Sequence, residues 1–323
     1  MKRKNIAVLA GGFSGEAAIS GNSGRMVMKN IDRDRYNPML YWITSDGWHA
    51  EVNGERHAID KNDFSTEIGG ELFVPDFAFV MIHGTPGEDG IIQGYLELIG
   101  IPYSTGNALN MALTFHKGMT VSALRGMDIP VAKGVLLHTR EGKTNEEILA
   151  ITGLPCFVKP NQGGSSIGMS KVKAADELDE AIEIAFKEDK DVLIETFMEG
   201  TEVQCGVIPW NGELKALPLT EIVSHNEFFD YAAKYEGQSD EITPARISPE
   251  LTAHVQSTAK MVYQATNCRG MIRIDFMIVE DIAHIIEINT VPGFSEASII
   301  PQQAAAANIS ATALISSVIE ATC

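Results

Sequence analysis

The feature that most constrains this chain is a pair of apolar runs, Met271-Ile-Arg-Ile-Asp275-Phe-Met-Ile and Ile285-Ile-Glu287-Ile-Asn289-Thr-Val-Pro-Gly293. Both read as strands, with single polar residues set among Ile, Met and Val. Side chains alternate along a strand, so Arg273 and Asp275 share a face, and so do Glu287 and Asn289. The acidic turn Glu280-Asp281 would make the two runs a hairpin that gathers Asp275, Glu287 and Asn289. Three oxygen donors without a thiol suit a hard cation, Mg²⁺ before others. Arg273 beside them would complement a phosphate or a developing oxyanion. An ordinary hairpin with a few satisfied polar groups carries the same residues, so this pattern alone leaves both readings open.

A length of 323 residues allows two or three domains with ample core. The net charge of −18 argues against nucleic acid or an anionic membrane surface as the main partner. A small anionic nucleotide stays possible where a few lysines and a metal make a local positive pocket. Cys156, Cys205, Cys268 and Cys323 are far apart and form no CxxC pair, so scattered thiols are expected rather than a zinc site or disulfides. The basic start Met1-Lys-Arg-Lys is followed by too short an apolar run, Ile6 to Ala10, for a signal peptide. No stretch has the length of a membrane span. The expected location is the cytoplasm.

The first third alternates strand and helix signals. Strands are expected at Ile6–Ala10, Met39–Ile43 and Phe77–Ile82, with helices from Glu16 to Asn30 and from Gly90 to Leu98. This alternation predicts a parallel α/β sheet, whose ligands sit beyond the carboxyl ends of the strands. Glu16, expected in the first helical turn, and His83 both fall there. One helix, Leu109–Arg125, would carry Lys117. The strand Gly153–Pro160 bears Lys159 and runs into the Gly-rich loop Asn161-Gln-Gly-Gly-Ser165-Ser-Ile-Gly168. Val192-Leu-Ile-Glu195 starts a further unit, and the long aperiodic segment Ser224–Pro244 has the length of a lid. A helix Leu251–Asn267 precedes the hairpin, and Ile309–Ala321 closes the chain.

Glycines let backbone N–H groups approach phosphate oxygens, which suits the loop after Lys159 to a phosphate; a plain hairpin turn is the bland alternative. The loop is not GxxxxGK[ST], and no GxGxxG occurs, so neither a P-loop NTPase nor a dinucleotide fold is indicated. Lys159 leaves an apolar strand, where a cation needs an anionic partner. Lys117, Glu195 and Glu202 each read equally well as surface charges when taken singly.

In order, Gly11-Gly-Phe-Ser-Gly-Glu16, His83-Gly-Thr-Pro-Gly-Glu-Asp-Gly90, Lys117, Val158-Lys-Pro-Asn-Gln-Gly-Gly-Ser-Ser-Ile-Gly168, Glu195, Tyr231-Ala-Ala-Lys-Tyr235, Gly270–Asp275 and Glu287–Gly293 resemble the D-alanine–D-alanine ligase family, from about residue 5 to about 320. The resemblance implies an α/β (α+β) ATP-grasp fold. An N-terminal parallel-sheet domain, 1–105, would be followed by two subdomains clasping ATP, 106–191 and 192–323. It implies that Lys117, Lys159, Ser165 and Lys234 meet the nucleotide phosphates. Glu195 and Met198 would read adenine, and Glu202 the ribose. Asp275, Glu287 and Asn289 would bind two Mg²⁺ ions, with Mn²⁺ as a substitute. Glu16 would hold the first D-alanine's ammonium beside Ser165, Tyr235 and His83. Arg273 and the Gly293 backbone would form an oxyanion site, and Ser298 would meet the second D-alanine's carboxylate. A homodimer is implied as well.

The implied reaction joins two D-alanines through a D-alanyl phosphate, for peptidoglycan precursors. Tyr235 in the lid favours this dipeptide over a product with D-serine or D-lactate, the alternative reading. The chain departs from the family at Ala17-Ala18, where a charged pair is usual, and this bears on the first amino-acid subsite. A catalytically silent nucleotide-binding relative would be expected to lose Lys159, Arg273, Asp275, Glu287 or Asn289, and all five are present.

Overall fold

The computed structural model describes residues 3–164, 167–224 and 239–322. Ser165, Lys234 and Tyr235, and most of the expected lid, lie outside the described residues.

The first sheet contains β1 (Lys4–Gly11), β2 (Tyr36–Thr44), β3 (Gly47–Val52) and β4 (Glu55–Ala58). The small hairpin β5 (Thr66–Ile68) and β6 (Glu71–Phe73) stands apart, and β7 (Phe77–Val80) completes the sheet in the order β4-β3-β2-β1-β7. β1 is parallel to β2 and β7, as expected. β3 and β4 are antiparallel, so the sheet is mixed and not wholly parallel. The reason is local: the short turn Ser45-Asp46 reverses the chain between β2 and β3, and Asn53-Gly54, both at positive φ, reverses it again between β3 and β4. Helix α1 (Ala17–Asn30) lies on β1 and β2 through the small buried residues Ser20, Gly21, Ser23 and Gly24. Ser20 Oγ accepts from Gly11 N–H at 2.9 Å and donates to Met81 O at 2.8 Å. It thereby ties together the two strand ends that frame Glu16 and His83.

After α2 (Ile91–Ile99), the expected single helix is two, α3 (Ala108–Phe115) and α4 (Lys117–Gly126). His116 breaks it with extended backbone and accepts from Met119 N–H through Nδ1 at 3.1 Å. The break sets Lys117 at the start of a helix instead of midway along one. The second sheet runs β10 (Ser170–Val172), β9 (Cys156–Pro160), β11 (Val192–Thr196), β8 (Gly134–Leu137). β11 pairs with both β8 and β9, so the strand beginning at Val192 belongs by its pairing with residues 106–191.

The third sheet holds β12 (Thr201–Trp210), β13 (Glu213–Ala216), β14 (Thr220–Ser224), β15 (Ser239–Ile242), β16 (Ile272–Val279) and β17 (Ile282–Asn289). Its order is β15-β14-β12-β16-β17, with β13 on β12. The acidic turn is as expected, with Glu280 and Asp281 both at positive φ. One face of β16 (Ile272, Ile274, Phe276 and Ile278) is buried in a core shared with Val255, Ala259 and Val262 of the helix Pro249–Ala265. The first core is larger. It joins β1, β2 and β7 to Ile300, Leu314 and Val318 of the two C-terminal helices, Ile299–Ala306 and Ala311–Thr322. Among the described residues, no single helix is long and apolar enough to cross a membrane.

Candidate active site

The polar face of the third sheet arises from register. Asp275 lies opposite Glu287, and Arg273 opposite Asn289, so all four side chains share one face. Across β16's other edge Gln204 lies opposite Asp275. A β-bulge between Asp275 and Phe276 leaves Ile286 as an extra residue on β17. Such an insertion re-aims side chains, and here Ile286 and Glu287 both reach the cavity wall.

Two cavities open here. The larger, ≈ 1120 Å³, lies between the second and third sheets, with Lys117, Lys159, Met198, Glu202, Asp275 and Glu287 in its wall. It exceeds the roughly 300–1,000 Å³ of common small-molecule pockets, which suits a nucleotide. The smaller, ≈ 440 Å³, includes His83, Glu88, Gln204, Arg273, Gly293 and Ser298. Glu16, Phe115, Lys117, Gly163, Gly164 and Glu287 line both, so the two cavities meet at that point.

Among the described residues, each expected side chain takes a definite place. Glu16 is the N-cap of α1, one residue before the expected first turn, and its side chain does not cap the helix. Its carboxylate turns instead toward the Gly-rich loop: a Cβ on Gly164 would sit 2.8 Å from Oε1. Glycine leaves that space to the carboxylate, and any larger residue would make the Glu16 side chain give way. Lys117 Nζ donates to Gly163 O at 2.6 Å, and Gly118 N–H donates to Asn161 Oδ1 at 2.8 Å, so the helix start and the loop are fastened together. Lys159 is ion-paired with Glu195, and both are largely buried. Removing either partner would strand the other's charge, at about 3–5 kcal/mol. Glu195 does not line the cavity; it stands behind Lys159. Ser298, at the N-terminus of the helix Ile299–Ala306, accepts from Ser295 N–H at 2.8 Å.

The hairpin's charges balance one another. Arg273 donates from Nε and Nη2 to the two Asp275 oxygens at 2.7 and 2.8 Å. Burial opposes the guanidinium's charge, yet Asp275, with Glu287 and Glu202 nearby, holds its pKa above the ordinary value. Asn289 Nδ2 donates to Asp275 Oδ2 at 3.2 Å and to Glu287 Oε1 at 3.4 Å. Among the described residues no three His, Cys, Asp or Glu side chains are gathered as a metal cluster. The set offered is two carboxylates and an amide. A half-turn of the Asn289 amide would present its oxygen beside theirs, an all-oxygen set that fits Mg²⁺.

His83, 6% exposed, lies 3.1 Å through Nε2 from Ser23 Oγ. Burial holds its pKa below the usual histidine value, against the pull of Glu16. Glu88 is enclosed in the same cavity, where burial, then Glu16 and Glu287, push its carboxyl up to about 8 despite two backbone N–H donors. Glu88, Gln204 and Glu241 were not expected in the site. Glu88 follows His83 in one short turn, a sequence signal that was available. Gln204 and Glu241 come from strands whose register no local pattern reveals.

Three sheets that close on a nucleotide-sized cavity, with a polar hairpin along one wall, form the ATP-grasp architecture. The model of the D-ala D-ala ligase N-terminus matches residues 5–106, and that of the D-ala D-ala ligase C-terminus matches residues 123–320. The chain belongs to the D-alanine–D-alanine ligase family. It is 48% identical over 318 residues to the D-alanine–D-alanine ligase of Flavobacterium johnsoniae, covering 98% of both chains. The VanG D-Ala:D-Ser ligase of Enterococcus faecalis superposes with a TM-score of 0.89 at 30% identity, over 99% of each chain. The D-alanine–D-alanine ligase of Bacillus anthracis complexed with ATP gives 0.79 at 30% identity, over 98% of this chain and 97% of that one.

Proposed function

We propose that this protein joins two D-alanine molecules to D-alanyl-D-alanine at the expense of ATP, through a D-alanyl phosphate, for peptidoglycan precursor synthesis. The observation that carries this reading is the meeting of a nucleotide-sized cavity with a small polar one at Glu16, Lys117, Gly163, Gly164 and Glu287. A carboxylate is a poor electrophile and must be activated; a γ-phosphate and an amino acid that meet at this junction would react there.

Lys117 and Lys159 hold the phosphates, Met198 and Glu202 the adenosine, and Glu195 keeps Lys159 extended. Glu16 takes the first substrate's ammonium. Asp275, Glu287 and Asn289 would hold Mg²⁺, whose charge would offset that of the phosphates. The first D-alanine's carboxylate oxygen then attacks the γ-phosphorus and ADP leaves. The second D-alanine, carboxylate toward Ser298, attacks the acyl carbon with its amine. Arg273 and the Gly293 N–H stabilise the oxyanion, and the phosphate departs carrying the proton that the amine gives up. Ser165, Lys234 and Tyr235 contribute from outside the described residues. We further take the chain as three units divided near residues 105 and 196, working as a cytoplasmic homodimer without nucleic-acid or membrane partners. D-serine or D-lactate as second substrate is not favoured, because the full-length relatives at 42–48% identity are D-alanine–D-alanine ligases.

Phosphate release from ATP and Mg²⁺ with D-alanine, alone or with D-serine or D-lactate, tests this, with products identified by mass. Release with D-alanine alone and a D-alanyl-D-alanine mass is expected. Release only when a second compound accompanies D-alanine would overturn the proposed acceptor.

A further inference from the structure

The turn after β17 carries Gly293, and two side chains from the first sheet's unit reach across to it. Glu88 accepts from Gly84 N–H at 2.8 Å through Oε2, and from Val291 N–H at 3.4 Å through Oε1. Ser23 of α1, 1% exposed, accepts from Phe294 N–H at 3.1 Å through Oγ, the atom that also contacts His83. Pro292 has no N–H. Among the described residues, the Gly293 N–H has no protein acceptor, while the nearest N–H groups on either side, those of Val291 and Phe294, are both taken.

We propose, resting on the ligase reading and its oxyanion role for the Gly293 N–H, that Glu88 and Ser23 are positioning residues for the second chemical step. They fix the turn so that the Gly293 N–H stays open to the reacting carbonyl. Both contacts span more than 200 positions of sequence and join separate units. The turn is thus held from across the cleft and not by its own strand alone. An oxyanion donor works only when preorganised, and misplacement by about 1 Å can cost about a hundredfold in rate. The same two residues line the cavity with His83 and Arg273. Loosening them should therefore spare phosphoryl transfer at the cavity junction and harm attack on the acyl phosphate.

The test separates those steps in Ser23→Ala and Glu88→Gln. Positional isotope exchange in ATP with heavy oxygen at the β,γ-bridge, run with Mg²⁺ and D-alanine, reports reversible D-alanyl phosphate formation. Dipeptide formation reports the whole reaction. Exchange near the parent rate with dipeptide formation down about a hundredfold is expected, together with faster amide hydrogen exchange in the 289–295 segment. Equal losses in both reactions, or unchanged dipeptide formation, would overturn the proposal. Should Ser23→Ala fail to fold, Glu88→Gln carries the test, because it keeps the side chain's size and loses one acceptor oxygen. A parent protein that shows neither exchange nor dipeptide would refute the ligase reading itself.

Discussion

Arg273 shows how one residue serves two electrostatic states. Its fork is filled by both oxygens of Asp275. In the proposed reaction a cation would take that carboxylate and leave the guanidinium to a substrate oxyanion. Arg273→Ala should lower dipeptide turnover by about a hundredfold or more, while ATP affinity, measured calorimetrically, changes little. An equal loss of both would contradict the oxyanion role. Glu88 gives a pH signature. Its folded carboxyl titrates near 8 against an ordinary value of 4.5, so in that range the folded state holds a proton that the unfolded state has lost. Stability of the metal-free protein should therefore fall as pH rises from about 4.5 to about 8, then level off. Thermal melts across this range should show that slope reduced in Glu88→Gln.

At the scale of elements, the hairpin was legible because its residues obey the strand period. Arg273, Asp275, Glu287 and Asn289 share one face in the fold as alternation requires. The bulge at Ile286 was not legible, since two adjacent isoleucines fit either face of a strand. The break at His116 was hidden by helix-compatible residues on both sides, and the reversals into β3 and β4 by reading the first unit as βα repeats despite the turns Ser45-Asp46 and Asn53-Gly54. Gln204 entered the site only through the pairing of β12 with β16, a contact between residues 71 positions apart. The Gly-rich loop is the element on which the cavities' junction depends most closely. Gly164→Ala should place a methyl group against the Glu16 carboxylate. Dipeptide synthesis should fall about tenfold, with the melting temperature nearly unchanged; a matching loss of stability would mean that the loop is a structural brace only.

The whole molecule is held by contacts between units. One core runs from β1 and β7 to the C-terminal helices, so the first and last parts of the chain pack together. Gly270, at φ +68, sits where the third unit meets the first: a Cβ there would lie 1.8 Å from Ser104 O. Gly270→Ala combines a left-handed backbone with that clash, and should cost about 3 kcal/mol, read as a drop of several degrees in melting temperature. An unchanged melting temperature would mean that the units can shift without penalty. This arrangement sets the nucleotide-sized cavity against the smaller polar one, where the proposed reaction phosphorylates the carboxylate. D-alanine labelled with heavy oxygen in its carboxylate probes that step, by mass analysis of the phosphate released with ATP and Mg²⁺. One labelled oxygen is expected in each phosphate formed; phosphate free of label would contradict an acyl phosphate and the site built around it.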